Sequence, residues 1–149
     1  MTTATDLIEG VGEIGQHYYY IEEDVIVVRF KGNISLKEVS RFIEIFNSLL
    51  KKHKRALLIS DLSHASTIDQ DARRHIVDWT RQQTAFATAA VSAGFMQRAL
   101  TSLMVRALKL ISGKNTPLAF FQDKESARAW LSQQRENFIA AQAKQETPK

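Results

Sequence analysis

Apolar and polar positions change period several times along this chain, and each change marks an element. Tyr18–Ile21 and Val25–Lys31 are rich in Tyr, Ile, Val and Phe and flank the acidic turn Glu22-Glu23-Asp24, which predicts a β-hairpin. Val25-Ile26-Val27-Val28 has no polar alternation, as in a strand covered on both faces, and Gly32-Asn33 is expected to break it. Ser35 and Glu38 have capping-box spacing, and Leu36, Val39, Phe42, Ile43, Phe46, Leu49 and Leu50 follow the helical period. A second buried strand opens at Ala56-Leu57-Leu58-Ile59. Asp61 is expected to end it, followed by a polar turn of Ser63, His64, Ser66 and Thr67. Asp69 stands at an N-cap position before Ala72, Arg73, Ile76, Val77 and Thr80, which have helical spacing.

Thr88–Ala93 reads as a short buried strand. Met96, Ala99, Leu100, Leu103, Met104, Ala107, Leu108 and Ile111 then form a long helical stripe, closed by Ser112-Gly113. Pro117–Phe121 is the last expected strand, and Asp123 caps a helix with Ala127, Trp130 and Leu131 on one face. Strands alternating with helices after a hairpin predict an α/β fold: a mixed sheet of about five strands flanked by about four helices. The expected organisation is a flexible leader over 1–16, one domain over 17–138 and a polar, frayed tail over 139–149.

Composition narrows the function classes. With 149 residues and 44% hydrophobic content, the chain can build one real core, and 24% charged residues is ordinary. The absence of cysteine removes disulfides, thiolate nucleophiles and cysteine-ligated zinc. Met1–Glu9 lacks the pattern of a signal peptide and no run is long enough to span a membrane, so a cytoplasmic protein with no transmembrane segment is expected. The net charge of +4 draws on Lys51, Lys52, Lys54 and Arg55, which sit where cations complement a helix C-terminus. The only aromatic cluster, Tyr18-Tyr19-Tyr20, is followed by acidic residues, which argues against nucleic acid as a partner.

Candidate chemistry is sparse. Gly10, Gly12 and Gly15 spell G-x-G-x-x-G, but no strand precedes them and no helix follows, so the dinucleotide reading fails and no cofactor is expected. Ser63 and His64 lie near Asp61 and Asp69, yet no G-x-S-x-G elbow accompanies them. Asp71 and His75 are four apart and could join His64 around a divalent ion, but that spacing is more often a surface contact. Neither a catalytic nor a metal site is assigned, and the chain is read as a non-enzyme.

Asp61-Leu62-Ser63, a five-residue spacer ending in apolar Ile68, and Asp69-Gln70-Asp71-Ala72 resemble the signature of STAS domains, the anti-sigma-factor antagonist family. That family's motif is D-L-S, a spacer, then D-S-S-G, and the resemblance extends by order of elements over about Tyr18 to Leu131. It implies a STAS-like fold and a regulatory module that binds a protein partner, such as a kinase-like anti-sigma factor. The partner-binding residues it implies are Asp61, Ser63, His64, Asp69, Gln70, Asp71 and Arg74. The family's phosphorylated serine corresponds to Asp71, its preceding serine to Gln70 and its glycine to Ala72. Two roles are open for Asp71: a permanent stand-in for phosphoserine, or a carboxylate favoured in a first helical turn. Ser66 and Thr67 are the nearby hydroxyls that could accept phosphate instead.

STAS folds are also similar to CRAL-TRIO lipid-binding domains. The alternative function is therefore a carrier or sensor of a small apolar or lipid ligand, with the Phe95–Ile111 helix lining its pocket. Homodimerisation through an exposed helix is a further expectation.

Overall fold

In the computed structural model residues 10–91, 94 and 117–146 are described. The expected Phe95–Ile111 helix, its Ser112-Gly113 cap and the first nine residues lie outside them, and with that helix goes the expected ligand pocket.

Six strands form one sheet in sequence order: β1 (Val11–Ile14), β2 (His17–Glu22), β3 (Val25–Ile34), β4 (Ala56–Ile68), β5 (Phe86–Val91) and β6 (Leu118–Phe121). The first three run antiparallel as a meander, and β3 through β6 are parallel. Helix α1 (Leu36–His53) connects β3 to β4, and α2 (Gln70–Thr80) connects β4 to β5. Right-handed crossovers that advance the sheet in one direction place both helices on one face. There Val39, Phe42, Phe46, Leu49 and Ala72 pack on Ile26, Val28, Phe30 and Leu58. The final helix, α3 (Lys124–Glu146), covers the opposite face, where Ala127, Leu131 and Phe138 meet Val25, Val27, Leu57, Ile59 and Ala89. Burial on both faces explains the continuous apolar runs of β3 and β4. The α/β class and mixed sheet agree with expectation; the described residues hold six strands and three helices rather than about five and about four.

The differences have local physical reasons. The leader reading fails over residues 10–16, because Val11–Ile14 is an edge strand paired with His17–Tyr20. The glycines there serve a hairpin rather than a nucleotide. A Cβ on Gly12 would come within 2.7 Å of the Tyr19 hydroxyl, and Gly15 turns the chain at φ +61° against the Glu38 carboxylate. Strand β3 does not stop at Gly32-Asn33. Gly32 adopts φ +70° and the pairing with β4 shifts register around it, so the ladder resumes through Ile34. The tail reading fails as well: α3 continues to Glu146, and Gln142 donates to the Lys54 carbonyl at 2.8 Å.

Helix α1 has both halves of its capping box, Ser35 Oγ accepting from the Glu38 amide and Glu38 Oε1 from the Ser35 amide. At its other end Lys54 is left-handed, with φ 67° and ψ 9°, a conformation in which glycine has no Cβ penalty. Lys54→Gly should therefore raise stability by about 0.5–1 kcal/mol, or Tm by about 1–4 °C, in a thermal melt. A lower Tm would show that Lys54 makes compensating contacts through its side chain.

Two buried polar groups tie the layers together. Asp24, in the β2–β3 turn, is 2% exposed and accepts from Arg55 Nε at 2.8 Å, and from Arg135 Nε and Nη2 of α3 at 2.8 and 2.7 Å. Burial alone would raise its pKa, but the two guanidiniums outweigh burial and hold it below the usual carboxylate value. His17 is fully buried against Phe30 and Phe42. Its Nδ1 faces the Lys31 amide at 3.0 Å and so accepts, which puts the ring proton on Nε2, the donor to Glu38 Oε1 at 3.0 Å.

Candidate functional site: the end of β4 and the start of α2

Strand β4 carries the site because it outlasts its neighbour β5. Pairing with β5 spans Ala56 to Asp61, while pairing with β3 continues to Ile68 through two register shifts. The segment Ser63–Thr67, expected as a turn, is therefore strand. Its polarity reflects exposure past the covered part of the sheet, where Ser63, His64, Ser66 and Thr67 all face solvent.

Asp61 sits at the boundary between covered and exposed strand and is 8% exposed. One carboxylate oxygen accepts from both the amide and the hydroxyl of Ser63, at 3.1 and 2.6 Å. The other lies 3.7 Å from Lys124 Nζ, at the start of α3, and 4.0 Å from Arg29 Nε on β3. Burial pushes the Asp61 carboxyl up, but the Ser63 bonds and the charges of Lys124 and Arg29 overcome it and leave the pKa lowered. The conjunction Asp-Leu-Ser thus has a structural meaning: the serine closes an Asx-type turn onto the carboxylate, and its two bonds, with the nearby cations, favour the ionised form.

A second cluster pins the start of α2. Thr67 Oγ1 donates to Asn33 Oδ1 at 2.6 Å, and Asn33 Nδ2 donates to Asp69 Oδ1 at 3.0 Å. The Asp69 amide donates to the Ile34 carbonyl, so the end of β3 holds this residue by backbone and side chain. Asp69 is the N-cap of α2 by position, yet its side chain makes no capping bond. The N3 amide, that of Ala72, donates instead to Asp71 Oδ1 at 2.8 Å. Ala72 is wholly buried against the core, which explains a small residue where the resembled motif has glycine. Gln70, Asp71 and Arg74 are exposed on the outer side of the helix.

The expected residues therefore fall into two groups, Asp61 with Ser63, and Asp69 with the α2 start, joined by the exposed end of β4. Among the described residues no hydrogen bond or ion pair links Asp61 to Asp69 or Asp71. Three participants were absent from the expectation: Arg29, Lys124 and Asn33. Lys124 is 63 positions from Asp61 in sequence, and no local pattern signals such a pair. Asn33 was visible only as the second half of a Gly-Asn break. Among the described residues no group of three His, Asp or Glu side chains could hold a metal ion, so His64, Asp71 and His75 do not converge. Among the described residues no helix is long and apolar enough to cross a membrane.

Comparison with known proteins agrees with this architecture. The chain is similar in structure to the anti-sigma factor antagonist SpoIIAA in its unphosphorylated form, with TM-score 0.54 and 12% identity over 75% of this chain and 93% of that one. It is also similar to a candidate anti-sigma factor antagonist from Thermotoga maritima, with TM-score 0.52 and 19% identity over 74% of this chain and 90% of that one. At these identities the likeness establishes a shared STAS-like fold. No curated protein matches the sequence. Residues 19–135 match a domain of unknown function, DUF7793, which covers both clusters and the sheet from Tyr19 of β2 through β6. The chain belongs to the DUF7793 family, and its fold is STAS-like.

Proposed function

We propose that this domain is a non-enzymatic regulatory module that docks a protein partner on the exposed end of β4 and the first turn of α2. The observation that carries the reading is the set of exposed residues Ser63, His64, Ser66, Thr67, Asp69, Gln70 and Asp71, broken only by half-buried Ala65 and Ile68, with Arg74 one turn on, projecting beyond the covered sheet. A backbone fixed by β3 pairing and by the Asn33 bonds supports it, since a preorganised surface loses less entropy on binding. The partner class proposed is a protein with a cationic patch, of which a kinase-like anti-sigma factor is one example. Asp71 supplies a fixed single charge where the resembled motif carries phosphoserine. Ser66 is the hydroxyl whose phosphorylation would add charge without breaking a described bond, whereas phosphate on Thr67 would remove its donation to Asn33.

The test is affinity purification from the native cell followed by titration of the recovered partner. Asp71→Arg should weaken binding at least tenfold, equivalent to about 1.4 kcal/mol, and Asp71→Ser should weaken it less. Equal affinities for the wild type and both variants would overturn the role given to Asp71. Native mass spectrometry of the same sample reads the phosphate and the oligomeric state directly.

A further inference from the structure

We propose that the start of α2 has two capping states, and that Asn33 is the positioning residue that selects between them. The inference rests on the partner-docking reading for its biological use, but its physical basis is independent of any partner. One amide, Ala72 N–H, has two carboxylates within its local chain that are built to accept from it. Asp69 is the N-cap residue, with φ −62° and ψ 147°, the extended backbone from which an N-cap side chain ordinarily reaches the N3 amide. Asp71 holds that amide in its place at 2.8 Å. Asp69 makes no cap bond and is instead turned toward Asn33, whose Nδ2 donates to its Oδ1 at 3.0 Å. Asn33 Oδ1 in turn accepts from the Thr67 hydroxyl at 2.6 Å, and because the Asp69 carboxylate can only accept, it is the amide NH2 end that faces Asp69.

The observed arrangement is therefore one of two ways to satisfy the same donor. In the second, Asp71 leaves Ala72 for an external cation, Asp69 rotates onto the vacated amide, and Asn33 loses its acceptor. No backbone bond need break: the Asp69 amide stays on the Ile34 carbonyl and the Asp69 carbonyl keeps the Arg73 amide. A cationic group of the partner that engages Asp71 thus does more than pair a charge. It passes a hydrogen-bond exchange from α2 to the end of β3, where Asn33 and Thr67 lie. The helix keeps a cap throughout, so docking does not have to uncap it.

Nuclear magnetic resonance of the isolated domain tests this. The readout is the Asn33 side-chain amide pair, which a merely structural contribution of Asp71 would not move. Asp71→Ala should shift these signals to positions typical of a solvent-exposed amide, while Asp71→Asn, which keeps Oδ1, should leave them as in the wild type. Asp71→Ala and Asp69→Ala should each lower Tm by less than about 2 °C, because the other carboxylate still caps Ala72. The double variant should lose about 2–4 °C beyond the sum of the singles. Unmoved Asn33 signals in Asp71→Ala, or strictly additive melting shifts, would overturn the two-state cap. Failure of the docking reading would show instead as unchanged partner affinity, with these spectra still behaving as described.

Discussion

Asp24→Ala should destabilise the domain by about 3 kcal/mol, lowering Tm by about 6–12 °C, although Asp24 is far from the candidate site. The carboxylate is nearly fully buried and takes three guanidinium N–H bonds from Arg55 and Arg135, both of which are mostly buried. Its removal leaves two cations facing each other over the β2–β3 turn, with the α3 contact to that turn reduced to Arg128, which bonds Glu22 and Tyr20. The same group sets part of the pH profile. Its folded pKa lies below the unfolded value, so its contribution is fully present above about pH 4 and declines as pH falls through the lower folded value. Asp61 and Glu38, whose pKa values are also lowered, act in the same direction. Urea titrations at pH 7 and pH 3 should show the wild type losing stability on acidification, and Asp24→Asn losing distinctly less. An unchanged difference between the two pH values in Asp24→Asn would exclude Asp24 as a contributor.

His17→Ala should cost about 3–4 kcal/mol, the other large effect expected. The imidazole fills space against Phe30 and Phe42, and both nitrogens are engaged, so truncation opens a cavity and orphans the Lys31 amide together. His17→Phe separates the two components, since it refills most of the volume while restoring neither bond. It should cost about 1–3 kcal/mol, from the partly buried Lys31 N–H left without its acceptor. Equal losses for the two variants in denaturant titration would assign the whole effect to hydrogen bonding and none to packing.

How much of this was legible in the sequence depends on how local the determining contacts are. The hairpin, the Ser35–Glu38 box and the apolar face of α1 follow from residues within a turn or two of each other, and they stand as read. The Asp123 cap of α3 also stands, with its Oδ1 accepting from the Ser126 amide at 2.7 Å. Strand β4 was cut short because Ser63–Thr67 is polar, and polarity in an unpaired chain means a turn. Here the ladder to β3 supplies the backbone partners, so side chains were free to be hydrophilic. Strand β1 was missed because glycines that suit a hairpin packed on Tyr19 look like a leader in isolation. In the candidate site, Asp61, Ser63, Asp69 and Asp71 are expected from the spacing of the resembled motif. Arg29 and Lys124 came from strands and helices whose juxtaposition exists only after folding. Asn33 was seen as punctuation, and its side chain proved to be the connector between Thr67 and Asp69.

The clamp on Asp24 also has a consequence for synthesis. Arg135 lies 111 positions after the carboxylate it neutralises. A ribosome adding about 5–20 residues per second makes the hairpin on the order of ten seconds before its guanidinium partner exists. During that interval Arg55 is the one described guanidinium bonded to Asp24, and the sheet face later covered by Ala127, Leu131 and Phe138 lacks those side chains. The nascent chain therefore gains the packing of Ala127, Leu131 and Phe138 only when its C-terminal helix emerges, and a stop codon upstream of Lys124 would release an aggregation-prone sheet without that cover rather than a shorter version of the domain.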